Sequence, residues 1–146
     1  MEGRESISSL KFLNYIVNNV TYKASEKINE NITWKLIFDI KNTTKVNNEK
    51  NKMCITLNVG VFKDVENAPF HMEVEATGYF ALEGNDDILK YEANAIAIMY
   101  PYLRAIVSNY TASANISPVI LPAINVNAML AGKKEQKEQE DKDKKD

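Results

Sequence analysis

Cysteine and histidine each occur once in these 146 residues, as Cys54 and His71. A single cysteine cannot close an intramolecular disulfide, and the apolar neighbours Met53 and Ile55 place Cys54 in a strand core, so a reducing cytoplasmic setting is expected. Hydrolases and transferases need a nucleophile, a base or a metal held in a pocket. Here such a centre would require His71 and Cys54 to meet across adjacent strands; the plainer reading is a strand-edge histidine and a buried, inert thiol. No CxxC, HExxH or phosphate-cradling glycine loop is present, so neither a catalytic residue nor a metal ligand is assigned and no enzymatic activity is expected.

Long hydrophobic runs are missing as well. Polar residues interrupt every candidate signal segment near the N-terminus, and the longest apolar stretch, 93–107, is broken by Asn94, Pro101 and Arg104, short of a membrane span. A soluble chain that stays in the cytoplasm and does not insert into a membrane is the expectation. Excess charge of one sign is missing too: 18 Lys and Arg against 20 Asp and Glu give a net charge of -2, which argues against nucleic acid as a partner.

What is present suffices for one core. Hydrophobic residues make up 45% of the chain, and only its end departs from that pattern. From Lys133 onward the sequence contains only Lys, Glu, Gln and Asp, six basic and six acidic residues with no core face. The organisation expected is a single domain over 1–131 and a charged flexible tail over 132–146.

Period-two alternation marks four strands. Val20 and Tyr22 alternate with Thr21 and Lys23 in a first strand over 14–24. Trp34, Leu36, Phe38 and Ile40 share one face of a second, followed by a polar turn over 42–52. Ile55, Leu57, Val59 and Val61 line a third over 53–65. Phe70, Met72, Val74, Ala76, Phe80 and Leu82 line a long fourth, in which Gly78 marks a bulge or close packing. Short polar connections make the sheet antiparallel. The period then changes. Asn85 or Asp86 can cap a helix, and Ile96, Met99, Leu103, Ile106 and Tyr110 recur at spacings of three and four. Pro101 predicts a kink or a break in that helix. A proline-containing connector follows, with a second helix starting near Asn125 or Asn127. The fold class is α+β: a four-stranded antiparallel sheet, a long helix, a proline-containing crossover loop and a second helix.

Two features stand out. Glu73 and Glu75 share one face of the fourth strand, which is either a carboxylate pair for catalysis or the polar face of a half-solvated sheet. The connector is unusually apolar, with Ile116, Val119, Ile120, Leu121, Ile124 and Val126. Such a loop covers its own core, lies in a subunit interface or lines a site for other apolar chains.

The segment MYPYLRAIVSNYTASANISPVILPAINVNAML, 99–130, resembles the SecB family of chaperones in its aromatic-Pro-Tyr start to the long helix, its Arg, its proline-containing crossover with Leu-Pro-x-Ile-Asn, and its final helix. PFHMEVEATGYFALEG, 69–84, is similar to that family's fourth strand, and the likeness spans about 13–130. The resemblance implies an ATP-independent chaperone, without a cofactor, that binds unfolded polypeptides and keeps preproteins translocation-competent for export. It also implies a cytoplasmic homotetramer built as a dimer of dimers. Client contact would fall on Leu36, Phe38 and Ile40, on Val119, Ile120 and Leu121 of the crossover, and on Met129 and Leu130. Glu73 matches an acidic position of the face that docks SecA, whereas Asn19 and Lys23 stand where acidic residues are usual. The alternatives are protection of an antitoxin in a toxin–antitoxin system, or a non-chaperone scaffold with the loop permanently buried.

Overall fold

The computed structural model describes residues 9–26 and 34–145, with side chains described for most of them. Four strands, β1 (Ser9–Ala24), β2 (Phe38–Val46), β3 (Lys52–Val61) and β4 (Phe70–Glu83), form one antiparallel sheet in the order β1-β4-β3-β2. The long helix α1 (Glu92–Ser113) covers one face, and α2 (Val126–Lys145) follows the crossover.

Met53, Ile55, Leu57, Val59 and Val61 of β3 are all buried and pair directly with Phe80, Gly78, Ala76, Val74 and Met72 of β4, so both central strands turn the same apolar face toward α1. Ala95, Ile96, Met99, Leu103 and Val107 close that face from above. Gly78 serves close packing: a Cβ placed on it would lie 2.3 Å from the sulfur of the fully buried Met99.

The strands differ from the sequence reading where alternation is broken or masked. β1 begins five residues earlier than expected, at Ser9, because its register shifts between Phe12 and Asn14 and again between Val17 and Asn19. Each shift adds one residue, so the residues on the side of the sheet that α1 covers run Leu10, Phe12, then Tyr15, Val17, then Val20, Tyr22, and no single period describes them. β2 starts at Phe38, not at Trp34; Trp34 and Leu36 lie in the irregular approach, where Trp34 packs edge-on against Phe62 at 6.0 Å. The strand also continues through Asn42–Val46, which reads as a turn because the residues are polar; they tolerate a strand here because β2 is an edge. The true turn is closed by Asn47, whose Oδ1 accepts from the main-chain N–H of Asn51 and Lys52, each at 3.0 Å. β3 stops at Val61 because Phe62 takes a positive φ of 52°.

Asp87, rather than Asn85 or Asp86, caps the helical region, its Oδ1 accepting from Leu89 N at 2.9 Å at the start of a short 3-10 turn, Ile88–Tyr91. Pro101 does not end α1. The carbonyl it leaves without a donor belongs to Ala97, which like Pro101 is exposed, so water can satisfy it. α2 begins after Asn125, which accepts from Ala128 N at 3.0 Å, and its helix carries the charged segment through to Lys145. Lys, Glu and Gln are good helix formers, and a helix already nucleated extends through them at small cost.

Candidate functional site

β2 is an edge strand, and α2 runs beside it. Between them lies a groove of about 520 Å³ lined by Ile40, Lys41, Asn42 and Thr43 from the strand and by Ala128, Met129, Gly132, Lys133 and Gln136 from the helix. The helical positions follow from spacing: 129, 132, 133 and 136 fall on one face. Lys133 donates from Nζ to the main-chain oxygen of Asn42 at 2.6 Å and so ties the two walls together. On its other side a second hollow of about 600 Å³ is lined by Thr44, Leu89, Glu92, Leu130 and Lys134.

The structure brings Ile40 and Met129 together in the groove and places Leu130 in the adjoining hollow. Leu36 is exposed on the approach to β2, next to exposed Ile37, whereas Phe38 is half-buried against the core. The crossover divides residue by residue. Ile120 is 70% exposed, Val119 half-buried and Leu121 0% exposed. This last placement corrects the assignment of Leu121 to a client surface: it is a core residue. Side-chain hydrogen bonds hold the loop in that orientation. Ser108 donates to Val119 O at 2.8 Å, the Oγ1 of buried Thr111 accepts from Val119 N at 2.9 Å, and Tyr100 donates to Pro122 O. Burial pushes the Tyr100 phenol up from its ordinary range. Lys133, Gly132 and Asn42 escape the sequence reading because two fall at the tail boundary and one in the supposed turn; extending the helical spacing from Met129 would find Lys133.

Of the two catalytic pairings raised by the sequence, only the carboxylate pair shares a face. Cys54 pairs with Tyr79, while His71 pairs with Lys23 at the opposite end of the sheet and contacts Val65 O through Nε2 at 2.8 Å, so the two do not meet. Glu73 and Glu75 do share a face, bridged by the Asn58 amide, which donates to Glu73 at 2.7 Å and to Glu75 at 3.3 Å. Lys63 adds an ion pair to Glu73 at 3.3 Å. The Asn58 amide first, and then Lys63, holds the Glu73 carboxyl below the usual carboxylate range. A carboxylate so held is a poor general base. Among the described residues no group of three or more His, Cys, Asp or Glu is placed to hold a metal, and no helix is long and apolar enough to cross a membrane.

A second surface lies at the other edge, where β1 meets α1. Tyr15 meets Tyr102 in a tilted ring contact at 4.6 Å and Tyr22 meets Tyr110 in another at 5.4 Å, yet Tyr102 and Tyr110 remain 40% and 42% exposed. Val17, Val20 and Ile98 are exposed beside them.

Residues 17–137 match the family model described as preprotein translocase subunit SecB. An uncharacterized protein of Methanocaldococcus jannaschii is 39% identical over 137 residues, covering 90% of this chain and 88% of that one. Protein-export protein SecB of Anaplasma phagocytophilum is 27% identical over 82 residues, 51% of this chain and 52% of the relative, and that of Anaplasma marginale is 32% identical over a segment of the same length. The fold is similar to that of a SecB-like chaperone of Mycobacterium tuberculosis solved with a ChAD peptide from the HigA1 antitoxin, with a TM-score of 0.59 at 12% identity, covering 79% of this chain and 90% of the other. With a match that begins within β1, spans α1 and ends within α2, the chain belongs to the SecB family.

Proposed function

We propose that this protein is an ATP-independent chaperone that holds unfolded polypeptides in the groove between β2 and α2 and keeps preproteins competent for export. The observation that carries the reading is a groove with apolar contact from Ile40 and Met129, set at a sheet edge with which no further strand pairs among the described residues, on a surface that also exposes Leu36, Ile37 and Ile120. A surface of separate aliphatic and thioether groups excludes water from many sequences without demanding one pattern. Family membership supports the same role. The test is suppression of turbidity when a chemically denatured client is diluted into the full chain. Met129→Lys adds a like charge beside Lys41 and Lys133 in the groove and should reduce protection, provided that circular dichroism and mass remain those of the parent.

A second reading, care of an antitoxin, is favoured by the antitoxin peptide bound to the mycobacterial SecB-like chaperone. Capture of clients from the native cytosol separates the two: preproteins support export, and an antitoxin supports the second. For SecA the acidic match is Glu73 alone, and its carboxylate is already engaged by Asn58 and Lys63, so affinity should be weak. Assembly as a homotetramer, a dimer of dimers, is supported by the exposed Val17, Val20, Ile98, Tyr102 and Tyr110 at the β1 edge. Light scattering at micromolar concentration tests it; a monomeric mass would also favour a scaffold or another non-chaperone role. We place the protein in the cytoplasm, with no cofactor.

A further inference from the structure

The sheet has a second face, turned away from α1. There Lys45 pairs with Cys54 and Cys54 with Tyr79, while four residues back Lys41 pairs with Asn58 and Asn58 with Glu75, so the register sets parallel rows across β2, β3 and β4. Two hollows lie on these rows and share Lys45. The first, of about 370 Å³, is walled by Leu13, Val46, Cys54 and Tyr79 with Lys45 and Lys52 beside them, and no acidic residue lines it. Leu13 reaches it as the extra residue at the first register shift of β1 and is 57% exposed. In the second, of about 390 Å³, Lys41, Lys45 and Lys63 stand against one carboxylate, Glu75. Lys63 is held by Glu73, but Lys41, Lys45 and Lys52 form no ion pair among the described residues. On a chain of net charge -2 this is a local excess of positive charge.

We infer that this outer face docks an extended acidic segment of a partner protein, anchored by one large apolar side chain in the hollow between Leu13 and Tyr79. Charge complementarity sets the sign of the partner: ammonium groups crowded on one face repel each other, and carboxylates placed among them relieve that repulsion. Lys41 and Lys45 are four residues apart on one strand, about 13 Å, the span of two acidic residues four apart in an extended chain. The apolar hollow adds what lysines alone lack, a pocket that fixes the register of the segment and separates it from other polyanions. Leu13, Lys45 and Tyr79 do not line the groove between β2 and α2, and of the four lysines only Lys41 borders both sites. Partner and client therefore bind together, and this site stands independently of what the groove holds.

The probe is a labelled peptide with two Asp four residues apart and one Phe beyond them, followed by fluorescence anisotropy with the full chain. At low salt it should bind about tenfold more tightly than its Asn counterpart, and the advantage should shrink at high salt because the lysines are mostly exposed. Replacing the Phe with Ser should weaken binding about fivefold, a difference that Leu13→Asn should erase. Lys45→Glu reverses the charge shared by both hollows and should lower affinity about tenfold or more, while circular dichroism and turbidity protection stay those of the parent. Lys45→Gln gives the same direction with a smaller change if the reversed charge disturbs the sheet. Equal binding of the Asp and Asn peptides, or unchanged affinity in both Lys45 variants, overturns the inference. Displacement of the peptide by a denatured client does so too, since it puts the peptide in the groove. A single-stranded oligonucleotide that binds as tightly and responds equally to Lys45→Glu would show a general polyanion surface and sink the assignment to an acidic protein segment. Peptide binding without turbidity protection by the parent chain would instead remove the chaperone reading and leave this site standing.

Discussion

Replacing Leu121 with alanine is expected to unfold the protein at lower denaturant without touching the client surface, while the same change at Ile120 does the reverse. The two are neighbours in an apolar loop, yet one is 0% and the other 70% exposed. Leu121 belongs to the same buried cluster as Ile96, Met99 and Leu103, and truncating a fully buried leucine costs about 2–5 kcal/mol, the spread reflecting how far the surroundings collapse. The loop is fastened on both sides by Val119 and Pro122 to α1, which limits collapse and places the cost toward the upper part of that range. At a urea slope of about 2 kcal/mol per molar, a loss of about 4 kcal/mol lowers the midpoint by about 2 M. Ile120→Ala exposes no cavity and should move the midpoint little, but it removes an apolar contact available to clients, so turbidity protection should fall. Because assembly contributes to apparent stability, parent and variants are compared at one protein concentration. Retention of the parent midpoint by Leu121→Ala, or equal protection by Ile120→Ala, would refute this division of the crossover.

Gly78→Ala should cost about 1–3 kcal/mol in urea unfolding by driving a Cβ into Met99, and Met99→Ala in the same chain should recover part of that loss by removing the clash, a non-additivity measured by a double-mutant cycle. Val20→Lys, on the exposed side of β1 against α1, should lower the mass observed by light scattering while far-ultraviolet circular dichroism stays unchanged. The Glu73 carboxyl, held below its usual range by Asn58 and Lys63, supports the folded state at neutral pH and above the unfolded carboxylate pKa, and that support is lost as pH falls through its depressed folded value. Carbon-detected NMR titration should show Glu73 titrating below the usual carboxylate range, and Asn58→Ala should move it upward.

The unbroken alternations of β3 and β4 were sufficient to determine the centre of the sheet, because a strand buried on one face by a helix must place its large apolar residues at every second position. The helical stripe from Ile96 to Leu103, the start of α2 at Asn125 and the resemblance in 99–130 were legible for the same kind of local reason. Edges were not. β1 hides its length behind two one-residue shifts, and β2 hides in polar residues that an edge strand accepts. Nor could composition separate Ile120 from Leu121, since both are large aliphatics in an irregular segment and only the hydrogen bonds from Ser108, Thr111 and Tyr100 fix which one faces inward. The groove is the clearest case of a property owned by tertiary structure. Asn42 and Lys133 lie 91 positions apart and are each unremarkable alone, and it is the packing of α2 along the edge strand β2 that brings a main-chain acceptor, a lysine and two apolar side chains into one site. Local pattern records what each element buries, whereas a site formed between elements depends on how they are packed, which no single segment encodes.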